Sequence, residues 1–166
     1  MAITTITEGD AAAAQYTDET RAALRLTLIE PDNLAVLLAG TGGDVVTNIH
    51  IGTRRKEAIY PVVYIAHLGT DEDDHELGNV RELRQRFRLY VYQRGPKTDG
   101  TVEAQVADLA DRIKAVLNAN RNRSADGLWY YLRCGRLVTG PAPSDSAATK
   151  IWAAHIDVLC LRSVGG

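Results

Sequence analysis

The sequence predicts an α+β domain: a mostly antiparallel sheet with one long helix on its core face and an N-terminal helical segment. Three observations carry that reading. The stretch TVEAQVADLADRIKAVLNAN (101–120) repeats apolar residues at helical spacing, whereas RQRFRLYVYQR (84–94) alternates with a period of two. A chain of 166 residues with 45% apolar content suits one domain, large enough to bury a core without disulfides or metal.

Taken in order, residues 1–16 are small and polar with no usable period, and read as an arm ahead of a single domain over 17–166. Thr17 or Asp18 can cap a helix whose stripe is Ala22, Leu24, Leu28 and Ile29, and Pro31 opens a second short helix that ends at Gly40. After the break GTGG (40–43), DVVTNIHIG alternates as a strand, and a basic turn TRRKE leads to a buried strand, IYPVVYIAHLG (59–69). The loop TDEDDHELGNV (70–80) joins it to 84–94, giving a long antiparallel hairpin with an acidic tip.

Beyond Gly95 and Pro96, Val102, Val106, Leu109, Ile113, Val116 and Leu117 share one helix face, with Thr101 as a candidate cap. Burying each large aliphatic side chain there is worth roughly 1.5–3 kcal/mol, so this helix must be clamped on an apolar surface, and Phe87, Leu89 and Val91 supply it. LWYYLRCGRLV (128–138) and KIWAAHIDVLCLR (150–162) read as two further strands, joined by TGPAPSDSAAT, which is too long for a tight turn.

Several function classes are disfavoured. A net charge of −2 lacks the basic excess of a dedicated nucleic-acid binder. No run approaches the roughly 18 apolar residues of a membrane span, and the N-terminus lacks the charged and apolar regions of a secretory signal. Cys134 and Cys160 sit in apolar runs and read as core thiols of a reduced compartment. Gly40, Gly42 and Gly43 lack the Lys-Ser/Thr of a phosphate loop. The acidic run lacks the spacing of a calcium loop, and His50, His67, His75 and His155 lack that of a zinc site. Ser144 and Ser146 show no nucleophile elbow. The expectation is therefore no catalytic residues, no metal and no cofactor.

What remains is the strand at 84–94. Arg84, Arg86, Arg88, Tyr90, Tyr92 and Arg94 point one way, while Gln85, Phe87, Leu89, Val91 and Gln93 point the other. Arginine and tyrosine are enriched at interface hot spots, so the stripe suits a protein neighbour, nucleic acid or plain solvent. Basic Arg54, Arg55, Lys56, Arg121 and Arg123 stand apart from acidic Asp71, Glu72, Asp73, Asp74 and Glu76. Opposite patches on two sides of one subunit can meet head to tail, and a ring closes such contacts.

The order of these elements resembles the tail terminator (tail completion) proteins of tailed bacteriophages and related contractile systems. The likeness runs from YPVVYIAHLG and RQRFRLYVYQR through VADLADRIKAVLNAN to LWYYLRCGRLV and IWAAHIDVLCLRS, and covers about residues 17–163. It implies a structural subunit without catalytic residues that forms a hexameric ring on the last ring of the tail tube. Such a ring stops tube polymerisation and joins the tail to the neck. The implied partners are further copies of the chain, the tail tube protein, a neck or connector protein, and genomic DNA passing through the lumen, with no membrane. The implied location is the tail–neck junction of a virion assembled in the bacterial host cytoplasm. A neck or head-closure adaptor and a small nucleic-acid-binding α+β module are the alternatives.

Overall fold

The computed structural model describes residues 8–38, 49–51, 60–74, 81–123, 129, 131–144 and 146–164. Two helices, α1 (Glu8–Ile29) and α2 (Pro31–Leu38), precede strands β1 (Ile49–Ile51), β2 (Val62–Asp74) and β3 (Arg81–Pro96). Helix α3 (Thr101–Ala119) and strands β4 (Tyr131–Ala142) and β5 (Thr149–Val164) follow. The five strands form one sheet in the order β1-β2-β3-β5-β4, in which β1 runs parallel to β2 and every other pair is antiparallel. The α+β class predicted from sequence is the one observed.

The core lies between this sheet and the helices. Val102, Val106, Leu109, Ala110, Ile113, Val116 and Leu117 form the buried face of α3, which rests on β3, β4 and β5. Phe87, Leu89 and Val91 are fully buried beneath it together with Ile156 and Val158. Gly95 permits the close turn from β3 into α3, because a Cβ there would collide with the Val102 side chain. Thr101 is the first helical residue and not the cap. Gly100 occupies the cap position, and Asp99 Oδ1 accepts the Thr101 N–H at 2.9 Å.

Helix α1 lies over β1 and β2, and α2 leans on α3. Leu24, Leu28 and Leu37 enter the core, and the Asn33 side chain ties the two helices by donating to the Thr27 carbonyl at 2.7 Å. The α1 contact is partly polar. Gln85 and Arg162, both buried, meet Thr20 of α1, with Gln85 Oε1 accepting from Thr20 Oγ1 at 2.6 Å. Arg162 donates to Glu19 at 2.7 Å and lies over the Tyr16 ring.

Three boundaries depart from the sequence expectations. Helix α1 begins at Glu8, so residues 8–16, in which the sequence shows no usable period, are helix. Ala11 to Ala14 have the highest intrinsic helix propensity and need no amphipathic period to extend a helix docked further on. Strand β2 continues through Asp74, taking Asp71, Glu72, Asp73 and Asp74 out of the expected loop and into the hairpin. In register Asp71 lies opposite Arg84 and Asp74 opposite Arg81, and the Asp71 carboxylate pairs with Arg86 one step further along β3, which offsets the poor strand propensity of aspartate. Finally, β4 runs to Ala142 and β5 starts at Thr149, leaving residues 143–148 as the connection. Pro141 is tolerated because β4 is an edge strand.

Candidate interaction surface

Since α1, α2 and α3 pack on one side of the sheet, the opposite side carries the alternate residues of β3. Arg84, Arg86, Arg88, Tyr90, Tyr92 and Arg94 all lie there, while Leu83, Gln85, Phe87, Leu89 and Val91 are buried on the helical side. Arg84, Arg86 and Arg94 are exposed, and Arg88, Tyr90 and Tyr92 are half-buried. Asp71 is exposed on the same face. The side chains of Glu72, Asp73 and Asp74, and the whole of Glu76, lie outside the described residues.

The surface divides into two halves. One is aromatic: Tyr90 stacks on Tyr92 with ring centroids 6.1 Å apart, Tyr64 meets Tyr92 edge-on at 6.0 Å, and His155 flanks Tyr90 at 6.1 Å. Register explains the cluster, because Tyr64, Tyr90 and His155 are direct cross-strand neighbours on β2, β3 and β5. Tyr64 is itself buried.

The other half is a set of ion pairs. Arg88 donates from Nε and Nη2 to the two carboxylate oxygens of Asp157, at 2.6 and 3.2 Å, from the position directly opposite on β5. Arg86 pairs with Asp71 at 2.9 Å and Arg84 with Glu82 at 3.0 Å. The hydrogen bonds from Arg88 hold the Asp157 carboxyl below its ordinary range, and the same pairing raises the Arg88 guanidinium. Spacing in the sequence pairs these arginines with no particular acids. The fold supplies them, because a long hairpin places Asp71 beside Arg86 and β5 places Asp157 beside Arg88.

Uncompensated charge lies elsewhere. Among the described residues, Arg133 and Arg136 of the edge strand β4 are exposed and have no ion-pair partner, and neither does Arg94. Arg136 lies within a β-bulge between Cys134 and Leu137, just after Arg133, and a second bulge between His67 and Gly69 sets Leu68 out of register on β2. Between the two bulges the open face sinks into a shallow depression of about 290 Å³, lined by Leu68, Arg86, Arg133, Gly135, Asp157 and Leu159. Leu68 is 49% exposed, and Tyr131 and Val138 of β4 are exposed as well. Sequence reasoning passed over these β4 residues. Alternation in LWYYLRCGRLV already sets Arg133 on the opposite face from Leu132 and Cys134; the bulge that re-aims Arg136 has no such signal.

The remaining candidates have structural surroundings. Cys160 is buried and Cys134 half-buried against the core; burial pushes the Cys134 thiol up to about 11 and raises Cys160 further, away from the reactive thiolate. His67 bonds Thr70 Oγ1 at 2.8 Å and packs on Phe87, and burial together with the Arg21 charge lowers its pKa. Arg123 pairs with Glu30 at 3.1 Å and covers buried Trp129. Arg121 donates to the Asn118 carbonyl at 3.1 Å. Ser144 bonds the adjacent Thr149 hydroxyl. Among the described residues no group of three His, Cys, Asp or Glu side chains could hold a metal ion, and no helix is long and apolar enough to cross a membrane. Residues 40–43, 54–56 and 75 lie outside the described residues, and so does the His50 side chain.

No family model matches the chain, and no curated protein matches it. The fold does match a solved chain from the virion of a native gene transfer agent (GTA) particle. The TM-score is 0.54 at 15% sequence identity, over 85% of this chain and 93% of that one. At such identity the two share a fold.

Proposed function

We propose that this chain is a structural component of a phage-like virion and, within it, the ring subunit that caps the tail tube, ends its polymerisation and joins the tail to the neck. The observation that carries the reading is the fold shared with a virion chain across 93% of that chain's length. It meets the resemblance to tail terminators drawn independently from the order of elements in the sequence. The surface fits the role. A sheet clamped by helices on one side and presenting arginine, tyrosine and exposed Leu68 on the other is a rigid platform with the residue types of protein interfaces. The proposed partners are other copies of the chain, the tail tube protein and a neck protein, and the function is non-enzymatic. Native mass spectrometry of the purified protein tests the ring: a closed cyclic assembly, a hexamer by the family resemblance, is expected, and a strictly monomeric protein at micromolar concentration would overturn it.

Stacked Tyr90 and Tyr92 beside Arg94 favour a second reading, contact with nucleic acid, since aromatic rings and guanidinium groups bind single strands by stacking and charge. Arg84, Arg86 and Arg88 already hold carboxylates, which reduces the positive charge available to phosphate. Filter binding across a salt series decides: affinity that falls steeply with salt is expected of phosphate contacts.

A further inference from the structure

We infer that the depression on the open sheet face seats helix α2 of a second copy of this chain, with Val36 entering the depression and Asp32 pairing with Arg133. The inference rests on the ring reading and names the contact that builds it. Charge complementarity carries it. The depression has Leu68 and Leu159 in its lining, and register sets Arg86 and Arg133 on either side of Leu159, because both lie opposite that residue, on β3 and β4. Arg86 is taken by Asp71, and Asp157 by Arg88. Among the described residues Arg133 is therefore the charged lining group left without an ion-pair partner, and it is exposed. Gly135 lines the same hollow with no side chain to fill it. The site wants a carboxylate beside an apolar side chain.

Helix α2 carries that complement. Its exposed residues Asp32, Ala35 and Val36 are spaced i, i+3 and i+4, so they share one face of the helix, and Asp32 is the sole charged residue of α2. Asp32 has no ion-pair partner among the described residues, and exposed Leu26 of α1 lies on the same side of the sheet. Arg112 donates from Nη1 to the Val36 carbonyl at 3.1 Å, which holds this face in place on α3. A helix laid in a groove anchors through residues one turn apart, and an arginine at the rim of an apolar hollow takes a carboxylate through its planar fork while the apolar contacts exclude water. The depression opens on the side of the sheet opposite the helices, so one chain cannot make this contact with itself. Two different surfaces of one chain that complement each other make a head-to-tail contact, and such contacts form a ring when the rotation per subunit closes.

The test compares the full-length chain with Arg133→Glu by native mass spectrometry and sedimentation. The variant is expected to keep its circular dichroism spectrum and unfolding midpoint, because no ion pair among the described residues holds Arg133. Ring formation is expected to need more than about tenfold higher concentration, as for loss of a close interfacial charge pair. Adding Asp32→Arg to the same chain is expected to restore the ring. A second measurement does not depend on those substitutions folding: carbodiimide treatment of the conservative Arg133→Lys variant, mixed with isotopically labelled copies of itself, is expected to join position 133 of one copy to Asp32 of another. A wild-type ring that persists unchanged in Arg133→Glu overturns this contact and leaves the ring reading standing. Cross-links from position 133 to other carboxylates, with none to Asp32, overturn α2 as the occupant, and so does a folded Asp32→Arg/Arg133→Glu chain that stays dispersed. A monomeric wild type overturns both readings.

Discussion

Asp157 shows how much a single carboxylate can do on an open sheet face. It accepts both arms of the Arg88 fork, yet the two side chains are 50% and 31% exposed. Solvent screening at that exposure keeps the contribution to stability below about 1 kcal/mol. Its pKa is depressed in the folded state. The stabilisation is therefore present above the unfolded aspartate value of about 3.9 and is lost as pH falls through the lower folded value. Asp157→Asn is expected to cost little at pH 7 and to flatten the acid limb of the stability curve below about pH 4, measured by urea unfolding at a series of pH values. An unchanged acid limb would show that the pair carries no linkage. His67 acts in a higher window. Burial and Arg21 lower its pKa, so the fold prefers the neutral ring and stability falls as pH drops below the ordinary value of 6.5. His67→Gln is expected to remove the loss that sets in as pH falls below about 6.5, read from the same unfolding series. His67 lies in IYPVVYIAHLG, a run whose strand character is legible in the sequence. The charges that set its titration are not, because Arg21 reaches it from a different element.

The most secure element is α3. Its buried set contains every residue picked out by helical spacing and adds Ala110. Leu109→Ala and Ile113→Ala are each expected to cost about 2–5 kcal/mol through lost transfer energy and the cavity left behind. Leu26→Ala on α1, where the leucine is 57% exposed, is expected to stay within about 0.5 kcal/mol. Equal midpoints for all three would mean the wrong helix face has been assigned to the core. Helix α1 was half legible. Leu24 and Leu28 announce its docked end, but Thr20, Thr27, Gln85 and Arg162 make that interface partly polar, which blurs the hydrophobic period. The alanine run ahead of it carries no period at all. Truncation of residues 1–15 keeps Tyr16, Glu19 and Thr20, the groups that meet Arg162 and Gln85, so a folded core with nearly wild-type near-ultraviolet dichroism is expected. A molten or insoluble truncation would show that the start of α1 is needed by the core. For β2 and β3 the sequence showed that they form a hairpin and which β3 residues face the core. Cross-strand partners were out of reach, because a bulge at Leu68 shifts the register by one residue and decides which acid meets which arginine.

At the scale of the whole molecule, one face of a five-stranded sheet is committed to the core and the other carries the arginines and tyrosines of β3. The Arg/Tyr stripe expected from residues 84–94 is present, but its arginines are largely satisfied within the chain. Among the described residues, Arg133 and Arg136 on the edge strand have no ion-pair partner. No period or motif in the sequence could rank those two arginines above the four at 84–94. Only the pairing of strands shows which guanidinium groups are already occupied. The central claim is that the chain ends tail growth, and electron microscopy of particles produced with and without it tests that claim most directly. The account expects tails of uniform length joined to heads when the protein is present, and tubes of irregular, extended length lacking a neck when it is absent. Tails of normal, uniform length joined to heads in its absence would contradict it.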